Sequence, residues 1–464
     1  MPGDRPNSAK PLILIALNEI NFDVARAYVD LLDLRNFRRA FANGIRRTTA
    51  EDSYDQLEPW IQWVSVHSGL AASQHRVFRL GDIVGTEVPQ LFEQLEAKGL
   101  VVGGISPMNA ENRLRRPAYF VPDPWTKTPA DRSYWSQPLA SAVAQAVNDN
   151  AQRRFTFATI ATLLLGLLRF ARIRNYGKYF RLALQSRGAP WRKALFLDLF
   201  LHDLHLQLFS TKRPDFSTVF FNAGAHIQHH YFFNAKAGVK AGVKNPAWYV
   251  SADADPVGEM LQLYDAILGE YFDTGVDLIV ATGLTQKPYD RVKFYYRLKD
   301  HADFLRRLGL RFSNVHPRMT RDFLVSFASP ADADHAQRVL ADLRAGPDGL
   351  PIFGDIENRG DTLFATLTYP GEISAGLRVR GANLPEFELA PHVVFVAIKN
   401  GMHDSSGFVF YEGEVAKHAL PERSHVKELY GVVMRHFGLA QESAPANAQA
   451  GRITNERRAH ASNA

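Results

Sequence analysis

Five short apolar runs, each closed by polar residues or glycine, constrain this chain most. They are Leu12–Leu17 before Asn18-Glu19, residues 101–105 before Ser106-Pro107, and Phe216–Phe221 before Asn222-Ala223-Gly224. Residues 276–281 before Thr282-Gly283 and residues 392–398 before Lys399-Asn400-Gly401 complete the set. Runs this short and this apolar read as strands buried on both faces. Helical periods fall between them. Val88, Leu91, Phe92 and Leu95 recur on one face, as do Met260, Leu261, Tyr264, Ile267, Leu268 and Tyr271. The alternation predicts an α/β fold with a largely parallel central sheet flanked by helices. Ligands of such sheets bind beyond the carboxyl ends of the strands. The residues closing each run are therefore the ones to inspect for chemistry.

Two stretches break the alternation. Residues 150–212 read as a helical insertion. Residues 285–390 read as a mixed α+β lobe, with strands at 322–327 and 362–367 and a helix at 332–345. The core is then split into 11–149, 213–284 and 391–440, followed by a small, polar, aperiodic tail over 441–464 that reads as disordered. The opening decapeptide carries no apolar segment of the kind a secretory leader has, so the expected location is cytoplasmic.

With 54 Lys plus Arg against 48 Asp plus Glu, the net charge is only +6. No nucleic-acid reading module surrounds the basic residues, and no nucleic-acid partner is expected. The basic excess is local. Residues 169–193 hold eight Lys or Arg and no acidic residue, directly after an apolar helix beginning at Phe157. The uncharged stretch ends at Leu168, well short of the roughly 20 residues a bilayer span needs. Three readings of 157–193 stand open: a buried helix under a basic face, a peripheral membrane contact, or a basic rim for an anionic substrate.

The chain has no cysteine and 16 histidines, so a metal here must rest on imidazole, carboxylate and neutral oxygen. His226, His229 and His230 follow the Phe216–Phe221 run. On a helix, His226 shares a face with His229 at i,i+3 and with His230 at i,i+4, a spacing suited to two imidazoles on one divalent ion. His403 and Asp404 follow another run and add a nitrogen and an oxygen donor. Glu19 closes the first run as a hard-metal ligand or a general base. Glu58, Gln62 and His67 crowd the start of a helix that opens on Pro59, a residue suited to the first helical turn. Lys287, after Thr282-Gly283, is placed to meet an anion. The catalytic candidates are thus Glu58, Gln62, His67 and Lys287. The metal candidates are His226, His229, His403, Glu19 and Asp404. His202 and His205, in a leucine-rich helix, read as structural.

The order of these segments resembles the alkaline phosphatase superfamily, particularly its phosphodiesterase–pyrophosphatase and phosphoglycerate mutase-like branches. LILIALNEINFD is similar to the family's opening strand, and WIQWVSVHSGLAASQHRVF to the segment after its nucleophile. FFNAGAHIQHHYFF is similar to the Asp-x-x-x-His ligand segment, and GEMLQLYDAILGEYFD to the helix that follows, with a Tyr-x-x-x-Asp-like element at 261–265. VDLIVATGLTQ stands where the family has a strand ending in Ser-Asp-His-Gly, and NGMHDSSGFVFYEG resembles its late His-x-x-x-Gly segment. The resemblance covers 12–110, 214–284 and 392–415. It implies an α/β core with decorating insertions and a two-metal site of three aspartates, three histidines and a Ser or Thr nucleophile. His229 and His403 match two of the histidines. Asn18 holds the place of the opening aspartate, Ala225 that of the Asp-x-x-x-His aspartate, and Thr282-Gly283 that of the later Asp-His. Neither Ser nor Thr stands near Glu58-Pro59, where the nucleophile belongs. A two-metal clamp needs several carboxylates. The departures therefore imply a rewired, histidine-rich site for one divalent metal (zinc, iron or manganese) with Glu19 or Asp404 as the oxygen donor.

Three function classes follow. The first is a divergent metal-dependent hydrolase or transferase of a phosphate-, sulfate- or other ester-containing anionic small molecule. The second is a noncatalytic binding or scaffold protein at a membrane surface. The third is a metal enzyme of another class, a lyase or an oxidative enzyme, on the same scaffold.

Overall fold

The structure, a computed structural model, describes residues 9–148, 156–240, 242–318, 321–382 and 384–439. The expected tail over 441–464 lies outside the described residues. The centre is an eight-stranded sheet in the order Ser424–His425, Ile45–Thr49, Ser406–Glu412, Asp277–Ala281, Leu12–Leu17, Phe216–Phe221, Val102–Ile105 and Tyr119–Val121. Four of the five apolar runs are neighbours here and pair in parallel. Ser406–Glu412 runs antiparallel to both of its neighbours.

Side chains alternate across a strand, so each central strand feeds two cores. Ile13, Ile15 and Leu17 join Phe221 and Val280 under the helices Phe22–Tyr28, Arg192–Lys212 and Pro256–Phe272. Leu12, Leu14 and Ala16 join Phe220 and Ile279 under Pro59–Ser68, Leu91–Ala97 and Leu429–His436. Pro59 occupies the first turn of its helix and Gly69 ends it at φ 72°. This is the asymmetry expected of a residue without a backbone donor and one free to turn left-handed.

The fifth run departs from expectation. Val393–Asp404 does not enter the main sheet. It pairs antiparallel with Thr285–Leu298 in a long two-stranded ribbon. The run is extended as expected but only partly buried, with Phe395 and Val396 exposed, because an apolar run does not say which strand it will pair with or what will cover it. Around the ribbon a separate apolar cluster gathers Phe304, Phe323, Leu340, Phe353, Leu363 and Ile398. It includes the antiparallel sheet of Asn314–Pro317, Asp322–Ser326, Thr362–Leu367 and Phe353–Asn358, and the helix Pro330–Asp342. The base of the ribbon sets His403 opposite Gln286 and Asp404 opposite Thr285, over the carboxyl end of the main sheet.

Among the described residues no helix is long and apolar enough to cross a membrane.

Candidate metal centre

Glu19 follows Leu12–Leu17 directly and is buried. Its backbone sits at φ 61°, a left-handed conformation that costs a residue with a Cβ roughly 1 kcal/mol or more. The surroundings hold it there. Its N–H donates to the Thr282 carbonyl at 3.0 Å, and its own carbonyl accepts from the Gln228 side chain at 2.7 Å. Its two carboxylate oxygens are separately fixed. Oε1 accepts from Asn18 Nδ2 at 3.1 Å, and Oε2 from Gln286 Nε2 at 2.5 Å. Trp63 in turn donates to Asn18 Oδ1 at 2.8 Å. Asn18 therefore works as a donor that braces Glu19. An aspartate could not donate in this way.

Oε2 of Glu19 stands 3.2 Å from Nε2 of His229 and 3.2 Å from Nε2 of His403. The two rings are edge to face at 5.0 Å. Each imidazole has its far nitrogen occupied or directed. His229 Nδ1 donates to the Gly401 carbonyl at 3.0 Å, and His403 Nδ1 lies 3.6 Å from Glu58 Oε2. That is the arrangement in which an outer acceptor fixes the tautomer and frees Nε2 for a metal. His403 Nε2 is buried and has no hydrogen-bond partner of adequate geometry. In a tetrahedral zinc site with bonds of about 2.0–2.1 Å, neighbouring donors lie roughly 3.3 Å apart. Both Glu19–imidazole distances match that spacing, and the three donor atoms lie within 4.8 Å of one another, so they could hold one such ion.

Gly401 makes this approach possible. A Cβ there would run into the Gln286 side-chain oxygen and stand 2.8 Å from the Gln228 carbonyl oxygen, so any larger residue would displace Gln286 from Glu19 or lift the ribbon off the histidine helix, Ala223–Tyr231.

The charge balance follows from burial and proximity. Burial pushes the Glu19 carboxyl up, but the His403 and His229 imidazoles outweigh it and hold it well below the usual range. Burial pushes His403 down, and the Glu19 carboxylate overcomes this to leave it raised. His229 stays lowered by burial and by the Lys399 ammonium. Glu58 is pushed up to about 7 by burial, with His403 opposing and Glu19 adding to the rise. Burial brings Lys399 down to about 8 despite the pull of Glu19 and Glu58.

The other sequence candidates lie around this centre. His226 lies outside the group of Glu19, His229 and His403, packs against His230 at 4.8 Å, and lines a neighbouring cavity. Asp404 and Lys287 pair with each other at 3.0 Å on the ribbon, and Asp404 also accepts from Ser406. Gln62 is buried and donates to the Gln56 carbonyl at 3.0 Å. His67 is buried between Trp63 and Phe92, and burial lowers it to about 3, leaving it neutral. Sequence reasoning did not assign roles to Lys399 or Gln286. Lys399 precedes His403 by four residues on the same strand, which is the one local signal that the two share a site.

A second group, His202, Asp203 and Glu270, also brings donor atoms within 4.8 Å. There Glu270 Oε2 already accepts from Arg172 at 2.6 Å and Arg174 at 2.5 Å, with His202 at 3.1 Å. Two guanidiniums on one oxygen supply the positive charge an ion would bring. His205 bridges Tyr271 and Ser217 in the core.

No protein-family model matches the chain, and no curated protein matches it significantly. Solved structures do align with it. Phosphonoacetate hydrolase from Sinorhizobium meliloti 1021 aligns at 11% identity and TM-score 0.42, over 94% of this chain and 98% of that one. Human ectonucleotide pyrophosphatase/phosphodiesterase 5 aligns at 10% and 0.42, over 94% and 97%. Alkaline phosphatase from the Antarctic bacterium TAB5 aligns at 9% and 0.39, over 94% and 100%. Superpositions this loose carry no argument about chemistry, which rests on the side chains.

Proposed function

We propose that Glu19, His229 and His403 hold one divalent metal and that the chain hydrolyses an ester bond in an anionic small molecule. One observation carries the metal: Glu19 Oε2 lies 3.2 Å from both Nε2 atoms, and one of these is buried without a hydrogen bond. Two imidazoles and a carboxylate form a donor set known from catalytic zinc sites, which keep a position open. When bound, the ion supplies Lewis acidity to an oxygen at that position.

The protein's own groups supply the rest. Gln286 and Asn18 keep Glu19 aimed at the imidazoles. Glu58, on the Nδ1 side of His403, is the carboxylate that keeps this imidazole aimed at the ion's position. Water's oxygen forms the new bond as the bond to the leaving oxygen breaks, and the proton that water gives up ends on the leaving oxygen. The Lys399 ammonium, half-buried beside both carboxylates, attracts the anionic part of the substrate.

The test is elemental analysis of the purified protein and of His229→Ala, with hydrolysis of nitrophenyl phosphate, sulfate and acetate esters. One zinc, manganese or iron per chain, lost in the variant together with turnover, is expected. Protein that neither carries nor takes up a metal would overturn the reading. The same donor set suits non-haem iron; iron with oxygen-dependent turnover and no hydrolysis would place the chain in the oxidative class instead.

A further inference from the structure

The helices Phe157–Phe170 and Tyr176–Leu184 are apolar on faces that no described residue covers. Ile160, Leu164 and Leu168 point outward at i, i+4 and i+8, and so do Tyr176, Phe180 and Leu184. Leu168 is 72% exposed and Phe180 71%. Of the eighteen large apolar side chains exposed among the described residues, eight lie between residues 160 and 184. Such a concentration marks an interaction face rather than scattered surface residues. The same segment is basic, and no described carboxylate pairs with Lys178, Arg181, Arg187 or Lys193. An apolar stripe flanked by cations, on helices too short to span, matches an anionic lipid surface.

The inner sides of these helices line a cavity of about 500 Å3. Leu163, Leu167 and Leu182 form its outer wall, Phe200 and Leu201 its inner wall, and Phe220, Asn222 and His226 its floor. That size accommodates one chain-like apolar ligand. The floor adjoins the metal centre, since Asn222 Oδ1 accepts from Asn18 Nδ2 at 2.9 Å and the same amide donates to Glu19. A single layer of helix thus separates the exposed apolar face from a cavity whose Asn222 is linked through Asn18 to Glu19.

We propose that the substrate is an amphiphile: an anionic ester carrying one acyl chain, with the chain in this cavity and the head at Glu19. The two helices receive it from an anionic membrane surface. The head's placement rests on the ester-hydrolase reading, whereas the chain and the surface do not.

The full-length protein is mixed with vesicles of phosphatidylcholine alone or with phosphatidylglycerol, and separately titrated with a fluorescent fatty acid. Binding to the mixed vesicles, weakened by salt, is expected, with roughly ten-fold loss in Leu168→Asp/Phe180→Asp. Ala183→Trp at the cavity edge, or Ala146→Phe within it, should weaken the fatty acid roughly ten-fold and leave metal content unchanged. Several results would overturn the proposal. These are equal affinity for neutral and anionic vesicles, binding to neither, fatty-acid affinity indifferent to both cavity variants, or a dimer that Leu168→Asp/Phe180→Asp dissolves. The last would show a second copy on this face. His229→Ala separates the two readings. Lipid and fatty-acid binding without any metal sinks the hydrolase alone, while a loaded metalloprotein that binds neither sinks the amphiphile alone.

Discussion

Glu19 and His403 meet at 3.2 Å through Oε2 and Nε2, one at the end of the first strand of the sheet and the other at the base of the ribbon. The contact joins the sheet to the ribbon at a buried carboxylate and a buried imidazole nitrogen, and His229 completes it from the histidine helix.

Removing either partner should empty the centre. Glu19→Gln keeps the size and the acceptor but removes the charge a divalent ion needs. Metal content measured by mass spectrometry should fall from one per chain to background, whereas Lys287→Met, on the outer side of the ribbon, should keep its metal. Retention of metal by Glu19→Gln would show that the ion lies elsewhere.

Gly401→Ala should act without touching a donor atom. Its methyl group meets the Gln286 side-chain oxygen and the Gln228 carbonyl, so the ribbon backbone must shift and carry with it Gly401's own carbonyl, the acceptor for His229 Nδ1. The expected cost is about 1–3 kcal/mol of stability by denaturant unfolding, with weaker metal retention against a chelator.

Glu58→Gln and Lys399→Met should separate support of the metal from substrate binding. The first replaces the carboxylate behind His403 Nδ1 by a neutral group and should weaken metal retention against a chelator roughly 10–100-fold. The second should raise KM for an anionic ester far more than it lowers kcat, with metal retained. Unchanged metal affinity in Glu58→Gln would remove Glu58 from the support of His403.

Glu270 gives an acid-stability signature. Burial pushes its carboxyl up, but the His202 hydrogen bond and the Arg172 and Arg174 guanidiniums outweigh this and bring it to about 2, from an ordinary 4.5. A lowered folded-state value means stability that is fully present above about pH 4.5 and lost as pH falls toward 2. Glu270→Gln should therefore be less stable than the parent near neutrality. The deficit is on the order of 2 kcal/mol, allowing for water around the guanidiniums, and the two unfolding curves should converge as pH falls through that window.

Much of the fold is legible in short stretches of sequence. The helix Pro256–Phe272 and the four parallel strands follow from apolar periodicity because burial on one or both faces writes itself into neighbouring positions. Glu19, His229 and His403 are legible as donors at strand ends. Other features depend on distant chain. The spacing of His226 and His229 permits a shared ligand, yet His226 packs with His230 while His403 stands beside His229. Asp404 alternates to the other side of the strand from His403 and finds Lys287 across the ribbon. Asn18 reads as a lost ligand until Trp63 and Asn222 show which way its amide points.

Local chemistry settled the strand ends, the parallel class of the sheet and the restriction of any metal to imidazole and carboxylate, since each depends on residue type and near-neighbour spacing. Which donors converge was set by packing. A ribbon strand that pairs outside the main sheet, and a glycine that lets it close on the histidine helix, bring together residues far apart in the chain. No periodicity encodes that closure, because the contacts that enforce it exist only once both cores have formed.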